Sequence, residues 1–336
     1  MSHLNRRRFL AGAASLAAWP AAAQTDPWRR IASAAEALDQ LHAIVVHLDG
    51  APVMAQAFRG PGLGRAAPVK SVSKTVVAAL AGAALDREEI PSVGSTLAEV
   101  APRLIPPGAD PRVGAITIEH LVTMQAGLER TSGANYGAWI GSADWVADAL
   151  SRRFVTEPGR RMLYSTGSFH ILGAVLSEVS GESLLTLART RLGDPLGMRI
   201  PAWTRDPQGR YLGGNEMSLT LDDMIRFGEL YRRGGEAGGG RVLSADWVAR
   251  SLAPRTRSPW SGLDYGYGWF LGSEGGDDYA LARGYGGQVI CIAPSLGLTL
   301  AITSDPTRPA RSAGYFGRLL ELIEDRIIPA ARREGA

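Results

Sequence analysis

The chain has 336 residues, 45% of them hydrophobic and 21% charged, enough apolar residue for a sizeable core, which excludes a disordered tail or a small cross-linked scaffold. Its formal charge is +3, but residues 1–23 hold three arginines and no acid. The remainder balances 33 basic against 33 acidic side chains, which excludes a globally basic nucleic-acid binder.

The first residues read as an address. Asn5-Arg6-Arg7-Arg8-Phe9-Leu10, an Ala-rich stretch and Pro20-Ala21-Ala22-Ala23 resemble a twin-arginine export signal cleaved after Ala23. Export to a bacterial periplasm or beyond is expected, with a mature chain of residues 24–336 and no transmembrane anchor.

A helix is expected over Ile31 to Leu41 and a strand over Ala43 to Leu48. A turn at Asp49-Gly50 and a returning strand from Pro52 to Phe58 follow. Ser71 to about Arg87 has helical spacing and is nearly uncharged apart from Lys74, as a helix buried on most sides would be. Further helices are expected at Ile118 to Met124, Ser142 to Arg153, Ser168 to Val179, Leu221 to Arg232 and Ser244 to Ser251. Strand patterns return at Tyr267 to Leu271, Val289 to Ala293 and Leu298 to Thr303, before a last helix from Ser312 to Ile328. Strands at both ends around a helical middle predict an α+β fold with an antiparallel sheet assembled from both termini. The sheet lobe takes about residues 24–90 and 255–336, and the inserted helical lobe about 91–254. The single cysteine, Cys291, excludes an internal disulfide and reads as a small buried residue of a late strand.

Of the 36 basic residues only Lys70 and Lys74 are lysines. Arginine keeps its proton in a protein, whereas a desolvated lysine titrates toward neutrality and can serve as a base. In Ser71-Val72-Ser73-Lys74 the serine and Lys74 stand three apart, about 4.5 Å along a helix axis and on nearly one face. The amine can then reach the hydroxyl, and the helix N-terminus favours developing negative charge. Lys70 reads as a solvated neighbour. Tyr164, in Tyr164-Ser165-Thr166 at the entry to a helix, can aim its phenol at a cleft, and nearby ammonium groups would lower its pKa. In Arg283-Gly284-Tyr285-Gly286-Gly287-Gln288, glycines allow close backbone approach, and a strand-edge N–H can join that of Ser71 in holding an oxyanion.

In their order these motifs resemble the serine β-lactamase-like hydrolases, the branch with class C β-lactamases, related esterases and 6-aminohexanoate-dimer hydrolases. The resemblance also draws on Ile116 to Leu128, Asp194-Pro195-Leu196-Gly197-Met198 and Tyr265-Gly266-Tyr267-Gly268-Trp269. It implies an acyl-enzyme, with Ser71 as nucleophile, Lys74 as its base and Tyr164 as proton shuttle. It also implies substrate or oxyanion contacts from Tyr285, Gly286, Gly287 and Gln288, and a pocket residue from the helical region, Tyr136 or Trp139. Two departures bear on substrate. Thr166 stands where the tyrosine motif usually has Asn, and Tyr285-Gly286-Gly287 stands where penicillin-recognising members carry Lys-Thr-Gly. An ester or small-amide hydrolase (carboxylesterase or amidase) is therefore expected, with a D-alanyl peptidase, a β-lactamase or an idle cell-wall-peptide binder as alternatives. The expected partner is a small ester, amide or peptide, not nucleic acid. No cofactor or metal is expected: His42, His47, His120 and His170 read as structural, and no metal-ligand spacing, Gly-x-Ser-x-Gly elbow or phosphate loop occurs.

Overall fold

A computed structural model describes residues 26–335. The twin-arginine-like segment and its cleavage position lie outside the described residues.

Eight strands form the main sheet: β1 (Leu41–Leu48), β2 (Ala51–Ala57), β3 (Thr256–Arg257), β4 (Asp264–Tyr265), β5 (Phe270–Glu274), β6 (Asp277–Gly284), β7 (Gln288–Ala293) and β8 (Leu298–Ser304). Their order is β2-β1-β8-β7-β6-β5-β4-β3, and every pairing is antiparallel. The two ends of the chain meet where β1 pairs β8, with Val45 opposite Ala301. Asp49 and Gly50 turn the first hairpin with φ of 48° and 80°, the left-handed pair that matches strand twist.

Strands β7 and β8 are buried along their whole length, so their sequences run apolar without alternation. Helix α4 (Leu221–Arg232) covers one face at Gly228, where a Cβ would meet Thr299 Cγ2 at 2.7 Å and Ile290 Cγ2 at 3.0 Å. Helix α1 (Asp26–Glu36) packs against β1, β2 and α5 (Tyr315–Leu322), burying Trp28, Ile31 and Ala35. Helix α2 (Val72–Asp86) buries every residue from Val72 to Ala84 between β6 and α3 (Thr166–Ser180). Gly82 lets Trp247 lie on it, since a Cβ would come within 2.4 Å of the indole. Among the described residues no single helix is long and apolar enough to cross a membrane.

Several elements differ from the sequence expectation. The first helix ends at Glu36, because Leu41 already pairs in β1. The strand expected at Tyr267 to Leu271 is displaced to Phe270–Glu274. Gly268, at φ 83°, turns the chain there, and its carbonyl accepts from Thr75 Oγ1 at 2.7 Å. Strand β6 was not expected at all. Its Asp, Ala and Arg content hides it, although Gly275 and Gly276 (φ 59° and 91°) make a two-residue hairpin turn before it. The last helix begins at Tyr315 and runs through a π turn, Ile323–Ile327, into α6 (Ile328–Glu334). Pro329, lacking an N–H, is accommodated at the first turn of α6.

Candidate active site

Ser71 is the N-cap residue of α2, with φ −73° and ψ −2°. One turn on, Lys74 is 2% exposed, and its Nζ lies 2.9 Å from Ser71 Oγ, 2.7 Å from Gly214 O and 3.3 Å from Thr166 Oγ1. Desolvation pulls this amine down to about 7. A neutral amine has two hydrogens and one lone pair. Gly214 O and Thr166 Oγ1 accept the hydrogens, which leaves the lone pair for the Ser71 O–H. Thr166 thus contacts the lysine itself, and it is held by Ser132, whose Oγ accepts from Thr166 N at 2.8 Å.

Lys70 is not a solvated neighbour. It takes a left-handed backbone (φ 52°) and pairs with Glu216, also left-handed (φ 68°), at 3.2 Å. Around this pair, Val69 N donates to Met217 O at 2.9 Å, and Ser73 Oγ donates to Lys70 O at 2.6 Å while accepting from Met217 N at 3.2 Å. The turn that presents Ser71 is stitched to the 213–217 segment. Two strained non-glycine residues persist because these bonds over-determine them.

Tyr164 faces the same point: its ring centroid is 4.9 Å from Lys74 Nζ, and its phenol is near enough to Ser71 for that hydroxyl to favour the ionised form. Its pKa is raised, against the sequence expectation. Burial is the largest cause, and it outweighs the opposing influence of the Ser71 side chain and the charge of Arg283. Just above neutral pH the phenol keeps its proton while the lysine loses its own, so one group has a proton to give and the other a lone pair to accept one.

A cavity of about 530 Å³ opens onto Ser71 and Tyr164. Tyr136, Trp260, Phe270 and Tyr285 supply apolar surface, and Arg130, Arg283, Lys70 and Glu216 supply charge. Arg283 projects from β6, lies 3.4 Å over the Phe316 ring and donates to Ser312 Oγ and Ala310 O, each at 3.1 Å. Burial lowers its pKa to about 10. Arg130 lies over the Trp260 ring at 5.4 Å. Among the described residues neither guanidinium has a salt-bridge partner, and the one cavity carboxylate, Glu216, is taken by Lys70.

Of the expected pocket residues, Tyr136 lines the cavity, where its hydroxyl accepts from Asn215 Nδ2 at 3.0 Å, and Tyr285 lines it at 51% exposure. Trp139 does not. It is fully buried, with its indole N–H donating to Trp145 O, because it closes a separate aromatic cluster with Trp145 and Leu212. Gly286, Gly287 and Gln288 stand behind the wall. A Cβ at Gly286 would meet Asp305 O at 2.3 Å and one at Gly287 the Tyr315 ring at 2.5 Å, while Gln288 exchanges two hydrogen bonds with the Ser304 backbone. The glycine that meets the Ser71 turn is Gly284, where a Cβ would lie 2.2 Å from Val69 O. Sequence reasoning missed Gly214, Ser132, Arg130, Trp260 and Glu216. Only the Gly213-Gly214 pair carried a signal, a glycine doublet where backbones approach closely. No three His, Cys, Asp or Glu side chains among the described residues gather to hold a metal ion.

A family model described as Beta-lactamase matches residues 34–322. Among solved structures, the chain is similar to a candidate 6-aminohexanoate-dimer hydrolase from Bacillus anthracis (TM-score 0.75, 20% identity, covering 89% of this chain and 81% of that one). It is also similar to EstCE1, a hydrolase with promiscuous acyltransferase activity (0.73, 18%, 90% and 98%). A penicillin-binding protein homologue from Caulobacter crescentus is a third (0.72, 16%, 93% and 98%). A search of curated proteins finds no sequence match.

Proposed function

We propose that this chain, which belongs to the beta-lactamase family, is a serine hydrolase that forms an acyl-enzyme and cleaves esters or small amides bearing an anionic group. The carrying observation is the desolvated Lys74 amine, 2.9 Å from Ser71 Oγ with neutral acceptors on its other side. Ser71 Oγ attacks the substrate carbonyl carbon while its proton passes to Lys74 Nζ. The tetrahedral oxyanion lies at the N-terminus of α2, where the Ser71 N–H and the edge of β6 stabilise it. On collapse the leaving oxygen or nitrogen takes the Tyr164 phenolic proton, and Lys74 restores it. Water then releases the acid by the same transfers in reverse. Among the described residues Arg130 and Arg283 have no acidic partner, which supports the anionic feature of the substrate.

The test is a fluorophosphonate probe and a p-nitrophenyl acyl ester, each followed by intact mass, on wild type and Ser71→Ala. One adduct on Ser71 and none on the variant is the expected result. A folded wild type that takes no adduct overturns the enzyme reading in favour of an idle binding protein. The same arginines also suit the carboxylate of a D-alanyl peptide or a β-lactam. A chromogenic cephalosporin hydrolysed far faster than esters would promote that second reading. Residues 1–23 support export through a twin-arginine route, which cell fractionation with Arg6 and Arg7 replaced by Lys tests.

A further inference from the structure

Outside the cavity, a buried polar pair has no part in the chemistry so far. His170, one turn along α3 from Thr166, and Asp206 have fully buried side chains, and His170 Nε2 lies 3.1 Å from Asp206 Oδ2. Asp206 is further held by the Arg210 backbone N–H at 2.7 Å and the Arg210 guanidinium at 3.5 Å. Trp139 and Trp145 set their rings edge-on to the imidazole at 5.8 and 5.6 Å. Burying such a pair costs desolvation that an apolar pair of the same volume would avoid, so its presence calls for a positional reason.

The other ring nitrogen supplies one. Gly213 N donates to His170 Nδ1 at 3.4 Å. A backbone N–H only donates, so Nδ1 must be the acceptor and Nε2 must carry the proton that Asp206 receives. Gly213 is also pressed against α3, where a Cβ would lie 2.1 Å from Phe169 O, and a Cβ on Gly214 would lie 2.9 Å from Phe169 Cβ. The next carbonyl along, Gly214 O, is the closest partner of Lys74 Nζ.

We propose that His170, with its tautomer fixed by Asp206, is a positioning residue that docks the Gly213–Gly214 strap on α3 and so fixes the carbonyl that aims the Lys74 lone pair at Ser71. The proposal rests on the reading of Lys74 as the base. In effect the wall of the satellite aromatic cluster holds the base in register without touching substrate.

The test compares His170→Asn, whose Oδ1 can replace Nδ1 as acceptor for Gly213, with His170→Gln, whose amide falls nearer the Nε2 position. Ester turnover is measured per Ser71 titrated with fluorophosphonate, so that loss of folded protein drops out. The expected result is kcat down about 10–100-fold in His170→Gln with KM within about threefold, and kcat within about fivefold of wild type in His170→Asn. Equal kcat in both variants, or wild-type kcat in His170→Gln, overturns the proposal. Should neither variant fold, nitrogen-15 spectra of wild type decide: a proton on His170 Nδ1 overturns the proposal, and a bare Nδ1 beside a protonated Nε2 supports it. Lys74→Ala separates the underlying reading. Its retained turnover would remove the base itself, whereas its inactivity beside a wild-type-like His170→Gln would remove only the positioning role.

Discussion

Lowering the pH from 8 to 5 should reprotonate Lys74 and switch acylation off. With the amine at about 7, the neutral fraction falls from about 0.9 to about 0.01, so kcat/KM for an activated ester should drop about 90-fold. The profile should climb about tenfold per pH unit below 6, bend near 7 and stay flat to at least pH 9, because the raised Tyr164 phenol does not ionise in that window. A lysine at its ordinary value would be about a thousandfold less available at pH 7 and would show no plateau there. The assay is stopped-flow release of p-nitrophenol from a p-nitrophenyl acyl ester, per titrated serine, with Lys74→Arg as control. The arginine variant keeps a charge that cannot act as a base and should lose on the order of a thousandfold. A bend above pH 9, or an arginine variant with the wild-type profile, would refute the assignment.

The same group makes stability depend on pH. Its folded pKa lies below the unfolded value of 10.5, so the unfolded chain binds the extra proton between about 7 and 10.5. The penalty is therefore complete below 7 and gone above 10.5. Wild-type stability relative to Lys74→Met should rise by roughly 5 kcal/mol across that window in urea titrations. Arg283→Met should raise KM for a carboxylate-bearing ester about 10–100-fold while changing a neutral congener by less than about threefold, as competition kinetics would show. Gly284→Ala should push β6 off Val69 O, costing about 1–3 kcal/mol in thermal unfolding and about 100-fold in kcat/KM. Lys70→Arg should keep its pair with Glu216 and stay within about threefold of wild-type turnover.

The Ser71–Lys74 relation was legible because helix period alone brings residues three apart together, and an uncharged flank announced the burial that tunes the amine. The sheet closed by both termini was legible from strand patterns at the two ends. What failed depended on distant residues. Tyr164 was expected to have a lowered pKa because nearby cations were counted and desolvation was not. Trp139 was placed in the pocket because spacing cannot say that its indole is satisfied by Trp145 O within another cluster. The Gly-rich run reads as ligand-facing throughout, whereas Arg283, Gly284 and Tyr285 reach the cavity and Gly286 to Gln288 brace them from behind. Lys70 found Glu216 only through the fold.

The contact of Gly284 with Val69 O joins backbones more than two hundred positions apart, and β1 waits for β8 in the same way. The cleft therefore does not exist in a nascent chain that has yet to release residues 298–304. The serine turn, made early, idles without its wall until the strand about 230 residues later arrives. Such long-range closure predicts slow folding and a catalytic signal that reports closure of the sheet, so enzyme activity during refolding should lag behind the helical circular dichroism signal.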